Sequence, residues 1–130
     1  MFTHTGSCHC GIVKYTFQIS PSIEEHKAIT CNCSFCTASG RLFIHIPNTD
    51  FTYTEGTDNL SEYRFGSMSI TASFCKTCGI QLAAESRAEK FLFGMVGVNM
   101  RTVDGLDIDT LELKKFNGKD FTLPPYSEKV

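Results

Sequence analysis

The residues best equipped for chemistry are seven cysteines in three groups, Cys8-x-Cys10, Cys31-x-Cys33-x-x-Cys36 and Cys75-x-x-Cys78. A Cys-x-x-Cys turn places two sulfurs on one metal while nearby backbone N–H groups point at them. A glycine directly after the second cysteine, Gly79 in one pair and Gly11 in another, relieves the steric cost of so tight a turn. The groups partition into two sites. Cys8, Cys10, Cys75 and Cys78 make a closed tetrahedral set, and Cys31, Cys33 and Cys36 hold a second ion whose fourth position is open. Zinc is the expected metal, two ions per chain. One site made from the triplet plus another cysteine would strand three thiols, and an iron–sulfur cluster ordinarily shows four spaced ligands without this split; ligand counting leaves both as alternatives.

Three thiolates give a zinc ion much of their negative charge and leave it a weak Lewis acid, so generating hydroxide is not its natural work. A thiophilic site favours a substrate thiolate, bound directly or held close enough for its pKa to fall. Cys31, Cys33 and Cys36 are therefore the residues expected to carry chemistry, on a small thiol of which glutathione is the commonest in the cytosol. Spacing does not name the electrophile. Neighbouring residues read more plainly: His9, between two strand-borne cysteines, points away from them and is expected to be exposed. His45, in the alternating run 42–46, is a pocket or surface residue. Arg41, Arg64, Lys76 and Arg87 are the cations that could meet a substrate carboxylate.

The 130 residues, 42% hydrophobic and 20% charged, suit one soluble domain spanning 1–130, and the eleven phenylalanines suggest a phenylalanine-rich core. A net charge of −2 and a pI near 6.0 supply no basic footprint for nucleic acid. Neither a signal peptide nor an apolar run of membrane-spanning length is read, so the cytoplasm is the expected compartment, with access to the nucleus open, and oligomeric state is not legible. Cytosolic thiols stay reduced, and seven is odd; both facts count against a disulfide framework.

What must position the cysteines is mostly strand. Val13, Tyr15, Phe17 and Ile19 alternate with Lys14, Thr16 and Gln18, and further strand-like runs lie at 42–46, 51–54, 60–65, 68–74, 80–84 and 91–98. Short strands at this spacing, punctuated by Gly, Asn, Asp, Ser and Pro, predict an all-β fold of antiparallel sheets with short helical turns. The helical candidates are 22–27, where Ser22 caps and Glu24 and Glu25 fill the first turn, and 102–111, and either fits a single turn. Residues 112–130, with Leu123-Pro124-Pro125-Tyr126, read as an extended C-terminal segment.

Taken together, Gly6-Ser7-Cys8-His9-Cys10-Gly11, Cys31-Asn32-Cys33-Ser34-Phe35-Cys36 and Phe74-Cys75-Lys76-Thr77-Cys78-Gly79 resemble the family of glutathione-dependent formaldehyde-activating enzymes, which also contains centromere protein V. The likeness runs from about residue 5 to residue 100 and takes in Gly97-Val98-Asn99-Met100-Arg101-Thr102. It implies a β-tent, a structural zinc on Cys8, Cys10, Cys75 and Cys78, and a catalytic zinc on Cys31, Cys33 and Cys36. The activity it implies is condensation of formaldehyde with glutathione to S-(hydroxymethyl)glutathione, a carbon–sulfur lyase reaction. Where members often carry a basic residue directly after the triplet, this chain has the uncharged Thr37 and reaches its first arginine at Arg41. A non-catalytic zinc module that binds a protein partner is the competing reading, and an open three-ligand site speaks against it.

Overall fold

Strand β2 (Lys14–Ile19) buries Tyr15, Phe17 and Ile19 and turns Lys14 and Gln18 outward, so its period-two pattern becomes one packed face. It is the middle of a three-stranded antiparallel sheet, between β1 (Phe2–Ser7) and β5 (Phe51–Glu55). The computed structural model describes residues 1–66, 68–87 and 92–120. The remaining strands are β3 (Ala28–Cys31), β4 (Phe43–Pro47), β6 (Leu60–Phe65), β7 (Ile70–Cys75), β8 (Gln81–Ser86), β9 (Met95–Asn99) and β10 (Leu113–Phe116). They form a second sheet in the order β10-β3-β4-β9-β8-β7-β6. One α-helix, α1 (Ser34–Ser39), follows β3.

The mainly β reading holds, with one correction to its antiparallel rule: β10 pairs with β3 in parallel, Leu113 opposite Ala28 and Phe116 opposite Cys31. A parallel pair needs a long connection, and here most of the chain lies between the two strands. The first part of 112–130 is thus a strand followed by a 3-10 turn, Gly118–Asp120; residues 121–130, and Phe91 in the 91–98 run, lie outside the described residues. The two helical candidates are 3-10 turns. In the first, Ile23–Glu25, the Ser22 N–H donates to the Glu25 carboxylate at 3.2 Å. The second is split into Met100–Thr102 and Ile108–Thr110.

The core lies between the sheets: Tyr15 and Phe17 of β2 pack in one cluster with Ile44 and Ile46 of β4, Leu82 of β8, and Val96 and Val98 of β9. It is aliphatic rather than phenylalanine-rich, because Phe17 and Phe43 are the buried phenylalanines among the described residues. Burying each large apolar side chain contributes about 1.5–3 kcal/mol. A buried hydroxyl pair closes one side, where Tyr15 donates to Thr102 Oγ1 at 2.7 Å and Thr102 donates onward to the Asn99 carbonyl at 2.7 Å. The small sheet is also tied to the segment after β9, through Gly6 paired with Val103 and the Asp104 N–H on the Thr5 carbonyl at 2.9 Å.

Alternation along β4 then has a second consequence. While Ile44 and Ile46 enter the core, Phe43 and His45 line a cavity on the other face of the large sheet.

Candidate metal centres

Cys8 and Cys10 lie in the turn between β1 and β2, and Cys75 ends β7 just before the turn that carries Cys78 into β8. Their four sulfurs all fall within 4.8 Å of one another, with Cys8–Cys10 and Cys10–Cys75 separations of 3.6 Å. A tetrahedral four-thiolate zinc site has sulfur–sulfur edges of about 3.8 Å, so the donor set fits one ion without rearrangement. Both expected glycines take left-handed conformations, Gly11 at φ 82° and Gly79 at φ 76°.

Backbone donors prepare these sulfurs for negative charge. The Val13 N–H reaches Cys8 Sγ at 3.3 Å, and Cys75 Sγ accepts from the Thr77 N–H at 3.4 Å and from Asn59 Nδ2 at 3.3 Å. The Cys78 N–H, ahead of that of Thr77, holds the Cys75 thiol down to about 6 against burial. His9 is exposed, as read from its position between the cysteines.

The triplet is assembled by a strand end and a helix start. Cys31 closes β3, Cys33 caps α1, and Cys36 sits in the helix's first turn, again with all sulfurs within 4.8 Å. Cys31 Sγ accepts from the Cys33 N–H, and Cys33 Sγ from the Cys36 N–H, each at 3.4 Å. For Cys33, burial works against ionisation, but the Cys36 N–H, joined by the Cys36 and Cys31 thiols and the Phe35 N–H, outweighs it and lowers the pKa. For Cys36, burial wins over Arg41 and pushes the thiol up to about 12. A bound cation reverses that balance, since a coordinating thiol is deprotonated outright.

Arg41 follows the helix cap and turns back under it. Its Nε donates to Cys36 Sγ at 3.4 Å, its guanidinium carbon stands 4.0 Å from the Phe43 ring centroid and 5.5 Å from that of Phe35, and 8% of the residue is exposed. Its Nη1 is buried without a hydrogen-bond partner. Phe35 also stacks on Phe65 of β6 at 4.2 Å and on Tyr63 at 6.0 Å. The helix therefore links the β3 end of the sheet to its β6 edge, and the large sheet curls around the space between.

That space is a cavity of about 450 Å³, onto which all three triplet cysteines open. Each strand of the large sheet contributes to it, from Lys114 of β10 and Ile29 of β3 to Phe65 of β6. His45 lies in its wall, edge-on to Phe43 at 5.1 Å; burial, with a smaller push from Arg41, lowers its pKa to about 4, so the ring is neutral at pH 7. Of the four cations named from sequence, Arg41 reaches this cavity and Lys76 instead donates to the Asp58 carbonyl at 3.3 Å beside the four-cysteine set.

Sequence reasoning missed the cover over the triplet. The Asn32 N–H donates to the Phe116 carbonyl at 3.3 Å, Asn32 Nδ2 to Asn117 Oδ1 at 2.9 Å, and the Lys119 N–H to Asn32 Oδ1 at 3.0 Å. A side chain at Gly118 would collide with Cys31 Sγ. No local motif in 113–120 announces this, because the partner strand is β3.

The sequence profile of the family described as "Glutathione-dependent formaldehyde-activating enzyme" matches residues 3–114, which include all seven cysteines. Among solved structures, the fold is similar to the crystal structure of a Rhodobacter sphaeroides protein, a structural-genomics target. That match has 28% sequence identity and a TM-score of 0.74, and covers 86% of this chain and 99% of that one.

Proposed function

The chain belongs to the glutathione-dependent formaldehyde-activating enzyme family, and from that premise we propose that it is a zinc-dependent carbon–sulfur lyase of the S-(hydroxymethyl)glutathione synthase type. Its substrates are a small thiol such as glutathione and an aldehyde, or their adduct. The observation that carries this reading is the opening of Cys31, Cys33 and Cys36 onto a cavity of about 450 Å³. A zinc module that only folds a protein-binding domain leaves that cavity, and the three-ligand set beside it, without a use.

In the synthetic direction a sulfur–carbon bond forms, the carbonyl π pair becomes a lone pair on oxygen, and the thiol proton ends on that oxygen; lysis reverses each change. Zinc held by the triplet would supply a position at which a thiol ionises near neutral pH. The chain's own residues do the rest. Three thiolates and a divalent ion carry one net negative charge, and Arg41 beside Cys36 balances it. Neutral His45 offers a donor or an acceptor without adding charge.

Zinc on Cys8, Cys10, Cys75 and Cys78 has a structural role in this proposal, within a single domain working in the cytoplasm or nucleus without nucleic acid as partner. No helix among the described residues is long and apolar enough to cross a membrane.

The test is the exchange rate between free formaldehyde and S-(hydroxymethyl)glutathione at equilibrium, followed by NMR magnetisation transfer. Wild-type protein with two zinc ions accelerates exchange, and Cys36→Ser, which keeps one ion, does not. Exchange no faster than in buffer with fully loaded wild type would remove formaldehyde as the substrate.

A further inference from the structure

Formaldehyde is scarcely larger than a water molecule, whose share of liquid volume is about 30 Å³. The cavity over the triplet measures about 450 Å³, within the range of about 300–1,000 Å³ that encloses drug-sized ligands. Its walls are oily: Ile29, Phe43, Phe65, Ile70 and Met95 come from five different strands. Ala84, 6% exposed, lies among them as a small residue that leaves room. The charged lining residues apart from Arg41 are Glu85 and Lys114, both exposed, which places them at the rim. A rim of one acid and one amine suits a polar thiol such as glutathione, with its carboxylates and ammonium. Away from Arg41 the inner walls suit something else, because a charged group moved against Ile70 and Met95 would lose water there.

Arg41, one of the residues lining this cavity, carries a buried polar atom without a partner. Arg41 is more than nine-tenths buried, its Nε is committed to Cys36 Sγ, and its Nη1 has no acceptor. An unpaired buried N–H costs free energy that a ligand oxygen recovers.

We propose that the carbonyl substrate of this site is an aldehyde whose carbon carries an apolar aromatic or branched aliphatic group, with its oxygen on Arg41 Nη1 and that group against the inner walls. This rests on the carbon–sulfur lyase reading and replaces formaldehyde as the preferred partner of the thiol. The thiolate lone pair forms the sulfur–carbon bond, the carbonyl π pair moves onto the oxygen held by Arg41, and the proton given up by the thiol returns to that oxygen. Arg41 thus contacts the reacting oxygen, while the substituent is selected by fit alone.

Exchange rates with glutathione are compared for formaldehyde, 3-methylbutanal and phenylacetaldehyde, on zinc-loaded protein with the buffer rate subtracted. The larger aldehydes should exceed formaldehyde in kcat/KM by about tenfold or more, since each buried methylene contributes a factor of about four. Ala84→Leu, which fills the interior, should bring that ratio down toward one. Arg41→Met should lower kcat/KM for all three aldehydes by a similar factor with both zinc ions retained. A readout that needs no turnover is calorimetric binding of thioethers, in which S-benzylglutathione should bind about tenfold tighter than S-methylglutathione to wild type and lose that advantage in Ala84→Leu. Formaldehyde favoured over both larger aldehydes, or equal binding of the two thioethers, overturns the inference and leaves the lyase reading standing. No acceleration with any aldehyde overturns both.

Discussion

Arg41 and His45 show how far single residues can be read once their surroundings are known. His45 stands in a wall where burial lowers its pKa to about 4, against 6.5 for the free side chain. Above pH 6.5 folded and unfolded chains both carry it neutral, and it contributes no pH dependence. Between 6.5 and about 4 the unfolded chain takes up a proton that the folded one refuses, so stability falls as pH falls, by about 3 kcal/mol at most. His45→Gln should therefore lose less stability than wild type between pH 7.5 and pH 5; urea melts of both proteins at each pH measure the difference, and equal losses would refute the assignment. Tyr15 gives a simpler case. Its hydroxyl donates to Thr102, which already donates to the Asn99 carbonyl, so Tyr15→Phe removes one buried hydrogen bond and leaves Thr102 paired. A cost of about 1 kcal/mol is expected in the same melts.

The elements that local pattern could reveal are those whose partners sit nearby in sequence. Strand β6 matches the 60–65 run residue for residue, and β2, β4, β5 and β7 shift by a residue or two. Helix α1 escaped because six residues, Ser34–Ser39, are too few for a helical period, and its cap is the sulfur of Cys33 rather than a familiar oxygen. Strand β1 escaped because most of its side chains are exposed. The cover formed by β10 escaped for a different reason, since a parallel pairing with β3 leaves no signature in either segment. The same contrast holds at the sites: the cysteine partition was written in the spacing, whereas the cavity required seven strands to curl before it existed. The cover can be tested directly. Gly118→Val places a branched side chain where Cys31 Sγ stands, so β10 must lift or the triplet must distort. Zinc content should fall from two toward one per chain, with the remaining ion on the four-cysteine set. Retention of two ions at wild-type affinity would show that the cover plays no part in holding the triplet.

Across the whole molecule the two cysteine sets do different mechanical work. Cys8 and Cys10 lie at one end of the small sheet's β1–β2 hairpin, and Cys75 and Cys78 lie at the end of β7 and in the turn after it in the large sheet, so an ion held by all four would tie the two layers that enclose the core. Cys10 and Cys75 are 65 residues apart. By the chain-entropy estimate for a cross-link closing a loop of that length, such a tie would contribute about 4 kcal/mol through the unfolded state alone. Cys31, Cys33 and Cys36 span one strand end and one helical turn, a loop too short for comparable leverage, and α1 has an aromatic anchor of its own, Phe35 on Phe65. Cys75→Ala should therefore lower the melting temperature by roughly 10 °C or more in a chain of this size, while Cys36→Ala should lower it by a few degrees and lose one zinc ion. The small sheet stays attached in Cys75→Ala through the pairing of Gly6 with Val103 and the Tyr15–Thr102 contact, so the variant should remain folded at room temperature and be measurable. Calorimetric melts of the three proteins, with metal content determined on the same samples, decide the matter. If Cys36→Ala melted lower than Cys75→Ala, the structural and catalytic roles of the two sets would have to be exchanged.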